Sequence, residues 1–89
     1  MRSTIAEAVP RRRTTLRGTI LSVTTTDGPW LRTNAVLDDG TAHVVLRFVG
    51  RSRVPGLEVG RVLEVRGTPG LVHGALMMIN PLYSFDGTG

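Results

Sequence analysis

The sequence predicts an all-β chain closed into a small five-stranded Greek-key barrel, and three observations carry that prediction. Five short runs rich in β-branched and aliphatic residues alternate with a period of two. The first run is long and holds one residue too many in its middle. A Gly- and Pro-containing excursion that cannot be a long helix separates the third run from the fourth.

The first run spans Thr14 to Thr26. Leu16, Gly18 and Ile20 keep period two, but the next inward candidate is Val23, three residues on. An extra residue in mid-strand is the mark of a bulge, and Gly18 permits a sharp bend. Closing a small barrel requires such a first strand, coiled and serving two sheets. Asp27-Gly28-Pro29 is a turn by composition. Trp30 to Asp38 follows, with Leu31, Thr33, Ala35 and Leu37 on one face. Asp39-Gly40 predicts a tight two-residue hairpin turn with positive φ. Thr41 to Val49 then places Ala42, Val44, Leu46 and Phe48 inward.

Residues 50–60 contain Pro55 and three glycines, so they predict a loop with one helical turn at most. Arg61 to Gly67 alternates again, with Leu63 and Val65 inward. Pro69-Gly70 opens a loop that ends near Gly74, and Ala75 to Ile79 forms the last strand before Asn80-Pro81. Leu82, Tyr83 and Phe85 fold back as a short cover. Five antiparallel strands must avoid open edges, and closure is the usual solution at this size. An SH3-like barrel competes; the long bulged first strand and the insertion after the third favour the OB arrangement.

Composition agrees with one small domain. At 89 residues a folded chain buries about 60–65% of the surface its unfolded form exposes. The hydrophobic share of 40% is enough to fold and too high for a disordered tail. Without cysteine there is neither a disulfide framework nor a thiolate metal site. No apolar run approaches the roughly 18–20 residues of a membrane span, and the N-terminus lacks a signal-peptide core, so cytoplasmic residence is the expectation.

The net charge of +4 comes entirely from arginine on the basic side. Arginine suits bidentate phosphate contact and base stacking, but GC-rich codon usage replaces lysine with arginine whatever the function. Position is more telling. Residues 1–13 carry Arg2, Arg11, Arg12 and Arg13 against Glu7, a net +3, which leaves the rest at +1. The predicted organisation is a flexible basic arm over 1–13, a barrel over 14–85 and a disordered tail over 86–89. Arg11-Arg12-Arg13 reads as a solvated tail or as a phosphate-tracking tether.

Taken in order, Arg17-Gly18-Thr19-Ile20 with Val23, Leu37-Asp38-Asp39-Gly40-Thr41, Gly50-Arg51, Gly60-Arg61, Val65-Arg66-Gly67 and Asn80-Pro81-Leu82-Tyr83 resemble the small stand-alone OB-fold proteins of actinobacteria. The pattern is also similar, more distantly, to the wedge domain of the branched-DNA helicase RecG, whose last strand ends in a comparable Pro-x-Tyr. The resemblance covers roughly residues 15–84 and implies a nucleic-acid-binding OB domain. It implies no helicase or ATPase role, because the chain holds no motor and no phosphate-binding Gly-rich loop.

In OB folds the ligand face lies outside strands two and three, bordered by the loops between strands one and two and strands four and five. Period two places Trp30, Arg32, Asn34 and Val36 outward on the second strand, and His43, Val45 and Arg47 outward on the third. A stacking ring, two guanidinium groups, an amide and an imidazole on one face suit single-stranded nucleic acid, DNA ahead of RNA, with Arg51 and Arg53 extending the path. Trp30 equally suits a plug over the barrel end, and the outward arginines suit solvated positions or pairing with Asp38 or Asp39. Val36 and Val45, with Leu71 and Val72 at a loop tip, suggest the alternative of a protein-interaction or self-assembly barrel, including a homodimer. For catalysis the sequence is poor: His43 and His73 lack metal-ligand spacing, and no nucleophile or carboxylate pair stands out. A non-catalytic module without metal or cofactor is the expectation.

Overall fold

A computed structural model of the chain describes residues 3–85. A single 3₁₀ turn (Ile5–Glu7) precedes seven strands: β1 (Thr14–Thr26), β2 (Arg32–Asp38), β3 (His43–Val49), β4 (Val62–Gly67), β5 (Gly70–Val72), β6 (Ala75–Ile79) and β7 (Leu82–Phe85). The first half of β1 pairs with β4 and the second half with β2. The ladder with β2 skips from Ile20↔Leu37 to Ser22↔Val36, which puts the expected mid-strand bulge at Leu21. Gly18 sits just before that crossing, opposite Leu63. A Cβ there would lie 2.6 Å from the Asp38 carbonyl oxygen, so glycine answers a steric demand.

The β2–β3 ribbon runs from Arg32↔Val49 to Asp38↔His43, and β3 then pairs parallel with β6 through Val45↔Met77 and Arg47↔Ile79. β5 forms a hairpin with β6, and β7 lies on β4. Two pairs of these strands work as longer ones. β5 continues β4 past Thr68-Pro69, where the Pro69 carbonyl accepts the Arg11 N–H at 2.7 Å, and β7 continues β6 past Asn80-Pro81. The sheet order β5-β6-β3-β2-β1-β4-β7 therefore closes on itself with five strand positions.

The predicted inward residues fill the barrel. Leu16, Ile20, Leu37, Val44, Leu46, Phe48, Leu63 and Val65 are buried, each worth about 1.5–3 kcal/mol of apolar burial. Val54 and Leu57, from the excursion after β3, close one end. That excursion is held by Thr33, whose buried hydroxyl donates to the Arg51 carbonyl at 2.7 Å. Tyr83 packs edge-on between Phe48 and Phe85, and the Arg61 guanidinium lies 4.2 Å over the Phe85 ring. These aromatics belong to the packing.

Several boundaries differ from the sequence expectation. Gly40 has φ +88°, but the hairpin connection is four residues, 39–42, since Asp38 faces His43 and Asp39 keeps a negative φ. Residues 70–72 and 82–85 are strands where a loop and a cover were expected. The unrecognised turn is His73-Gly74, with φ of 51° and 80°, the double positive-φ geometry of a two-residue hairpin. The arm expected over 1–13 is instead tied to the barrel at Ser3, Ile5, Ala6 and Arg11, while residues 1–2 lie outside the described residues. Ile5 is only 2% exposed and joins the core, Ser3 N–H donates to the Thr15 carbonyl, and Glu7 accepts from the Thr4 N–H and hydroxyl. One buried side chain has no periodicity, which is why a pattern search misses it. The tail expected over 86–89 lies outside the described residues.

Asp39 ties this segment to the hairpin. Its Oδ2 accepts the Ile5 N–H at 2.8 Å, while Oδ1 accepts the Thr41 N–H at 2.9 Å and the Thr41 hydroxyl. Partial desolvation pushes its pKa up, but the Thr41 hydroxyl and the N–H groups of Ile5, Thr41 and Ala42 outweigh that and lower it to about 2. A depressed folded-state pKa adds stability that is complete above the unfolded value of 3.8 and is lost as pH falls through about 2. Asp39→Asn is therefore expected to destabilise the chain near neutrality by roughly 1 kcal/mol, as loss of a backbone cap does. Urea unfolding at neutral pH and at pH about 2 should show the gap between variant and parent shrinking in acid; a constant gap would refute the assignment.

Candidate nucleic-acid interface

Directly paired residues share a side of the sheet, so the register assembles the outer face row by row. One row reads Thr24, Asn34, Arg47 and Ile79; the next reads Ser22, Val36, Val45, Met77 and Gly70. At one end lie Thr26, Arg32 and Val49, and at the other Asp38 and His43. Arg32, Asn34, His43 and Arg47 thus lie on one side of the sheet by register, while Trp30 stands in the bend before β2.

Each polar group is held differently. Arg47 Nε donates to Asn34 Oδ1 at 3.0 Å. His43 Nε2 lies 3.1 Å from Asp38 Oδ1, so Asp38 pairs with the imidazole rather than with Arg32 or Arg47. Arg32 Nη1 donates to the Trp30 carbonyl at 3.1 Å, while its Nε is buried with no hydrogen-bond partner among the described residues. Trp30 itself is 72% exposed and plugs nothing. Its backbone is held by Arg32 while its ring stands in solvent at the edge of the face.

The outlying arginines separate. Arg51 borders a cleft with Val49, Asn80 and Leu82, next to the Val49 end of the face. Arg53 borders another, with Val23, Thr25 and Thr33, and so does not extend the same path. Arg11, Arg12 and Arg13 are exposed, and the Arg11 bond to Pro69 sets them beside β5, along the far margin of the sheet. Val36, Val45 and Val72 share the outer face; Leu71 pairs with Leu76 and points to the opposite side.

Sequence reasoning missed the contribution of β6. Met77 is 8% exposed although it belongs to the outer side rather than the core cluster, and Ile79 is 58% exposed beside Arg47. The signal was present as alternation of Ala75, Met77 and Ile79 against Leu76 and Met78. The centre of the face is thus aliphatic, with polar groups around it. Among the described residues, no three His, Cys, Asp or Glu side chains come together to hold a metal.

A five-position barrel with a coiled, bulged first strand, a parallel third-to-last pairing and an insertion after the third strand is an OB fold. Solved structures agree. The second OB-fold domain of replication protein A from Methanococcus maripaludis superposes with a TM-score of 0.77 at 14% identity, over 96% of this chain and 94% of that one. The replication factor A related protein from Methanobacterium thermoautotrophicum gives 0.70, also at 14% identity, over 97% of this chain and 91% of that one. No family model matches the sequence, and no curated protein matches it.

Proposed function

We propose that this chain is a non-catalytic OB module that binds single-stranded nucleic acid, DNA ahead of RNA, across the outer face of β2, β3 and β6. The observation that carries the reading is the exposed Trp30 ring in the bend before β2, its carbonyl bonded to Arg32, with Arg32, Asn34 and Arg47 on one side of the sheet. Bases stack on such a ring, and arginines follow the backbone. One structural neighbour is an OB-fold domain of replication protein A and the other a replication factor A related protein, and replication is the ground for placing DNA first. Arg51 at one border and Arg11 to Arg13 at the other supply the phosphate contacts.

With little charge on the barrel, a Kd of about 1 μM or weaker is expected at low salt. About four phosphate contacts give a log–log salt slope of about −3 for a single strand. Fluorescence anisotropy of a labelled strand at several salt concentrations measures both; absence of binding at low salt, or a flat slope, would end the proposal.

The aliphatic centre of the face favours a second reading, a protein-binding or self-assembling barrel. Val36, Val45, Met77 and Ile79 form a contiguous set by register. Under the nucleic-acid reading, light scattering should report the same monomer for the parent and for Val45→Arg. A dimer that Val45→Arg dissociates would instead establish self-assembly.

A further inference from the structure

We infer that the cleft at the Val49 end of the face is a second base site, seating one nucleotide of the bound strand beside the one stacked on Trp30. The inference rests on the nucleic-acid reading above and adds a subsite to the same surface.

The register sets the cleft next to the ring. Val49 stands opposite Arg32, and the Gly50 N–H donates to the Leu31 carbonyl at 2.7 Å. Arg32 in turn bonds the Trp30 carbonyl. Trp30 enters this end of the β2–β3 ribbon and Arg51 leaves it, so a strand crossing from the ring over Arg32 and Val49 reaches the cleft. Its volume of about 490 Å³ lies within the range of small-ligand sites.

Exposed aliphatic side chains concentrate there. Val49 and Leu82 line the cleft at 45% and 63% exposure, and Ile79, at 58%, directly precedes Asn80 on its rim. Large apolar groups left together in water mark a surface that something covers. The flat face of a base does so whatever its sequence.

The polar groups suit a nucleotide better than an aliphatic side chain. Asn80 is fixed by two bonds to β3: its N–H donates to the Arg47 carbonyl at 2.7 Å, and its Oδ1 accepts the Val49 N–H at 2.9 Å. Its φ of 48° is left-handed, a conformation asparagine tolerates better than most side chains. Oδ1 keeps a second lone pair and Nδ2 bonds no described residue, so the amide offers a donor and an acceptor to the edge of any base. Arg51 has its carbonyl held by the Thr33 hydroxyl, while its guanidinium bonds no described residue. Among the described residues lining the cleft there is no carboxylate, which leaves that guanidinium matched to a phosphate.

Two measurements test this on the full chain. Amide spectra of the isotope-labelled protein are followed as a short deoxythymidine strand is added. The Val49, Arg51, Asn80 and Leu82 amides are expected to move together with the Trp30 indole N–H. Anisotropy then compares Leu82→Glu with Leu71→Glu, after amide spectra establish that both fold. The two leucines are 63% and 61% exposed, and each change adds a negative charge, but Leu71 faces the opposite side of the sheet. Leu82→Glu is expected to bind the strand about tenfold more weakly than Leu71→Glu, the worth of one base contact. Strand binding that leaves the Asn80 and Leu82 amides in place, or equal affinity of the two variants, would overturn the inference. The titration of the parent decides alone if Leu82→Glu does not fold. Failure of any strand to bind the parent would instead defeat the underlying reading.

Discussion

Gly18→Ala is expected to cost the fold about 3 kcal/mol, the upper range for forcing an extra methyl group into a packed site. The added carbon would stand 2.6 Å from the Asp38 carbonyl oxygen, 2.9 Å from its carbonyl carbon and 3.1 Å from Leu37 Cγ. Two of those atoms are backbone, so no rotamer change relieves the contact. The strain falls where β1 passes from β4 to β2, and relieving it means moving one ladder or the other. A domain of this size holds about 5–13 kcal/mol in total, so the loss is a large share. Urea denaturation should show a lower midpoint with an unchanged slope. Gly28→Ala is the matched control, because its nearest neighbour would be 3.9 Å away. Equal stability of Gly18→Ala and the parent would mean that the two ladders do not converge at residue 18.

Trp30→Ala is expected to weaken strand binding by about 5- to 100-fold, the worth of one stacked base, without changing stability. The two halves of that expectation come from the same fact. A ring 72% exposed contributes little to the core, so its removal leaves the midpoint of unfolding in place. The same exposure makes it the best stacking platform on the face. A labelled strand should be the reporter, since the variant loses the chain's one tryptophan. Unaltered affinity would move the binding surface elsewhere on the barrel.

Alternation made most of this architecture legible. Leu16 through Val65 fell on the inner side as period two required, and the break between Ile20 and Val23 announced the bulge, whose residue only the ladder assigns. The same alternation put Arg32, Asn34, His43 and Arg47 on one side of the sheet, as the register does; Trp30 precedes β2, where alternation does not reach. What escaped was non-periodic. Ile5 enters the core as a single side chain from a segment whose charges suggested solvent. β5 is three residues long and begins after a proline, so neither length nor composition marks it as a strand. Ile79 and Met77 joined the face only through the parallel pairing of β3 with β6, and register between distant strands is not written in local sequence. Nor was the Arg47–Asn34 hydrogen bond legible, because alternation says which side a residue occupies and not how its atoms orient.

The tether between Ile5 and Asp39, together with the seam from Thr14↔Gly67 to Thr19↔Val62, has a kinetic consequence. Apart from its hairpins, this chain gains its barrel through pairings between distant stretches, and each such loop must lose its entropy before the contact repays it. Refolding should accordingly take milliseconds to seconds, the range of small all-β domains, rather than the microseconds of helical bundles. The β2–β3 and β5–β6 hairpins can form early, while the amino-terminal segment settles only once its acceptor at Asp39 exists. Truncating that segment should therefore speed unfolding far more than it slows folding.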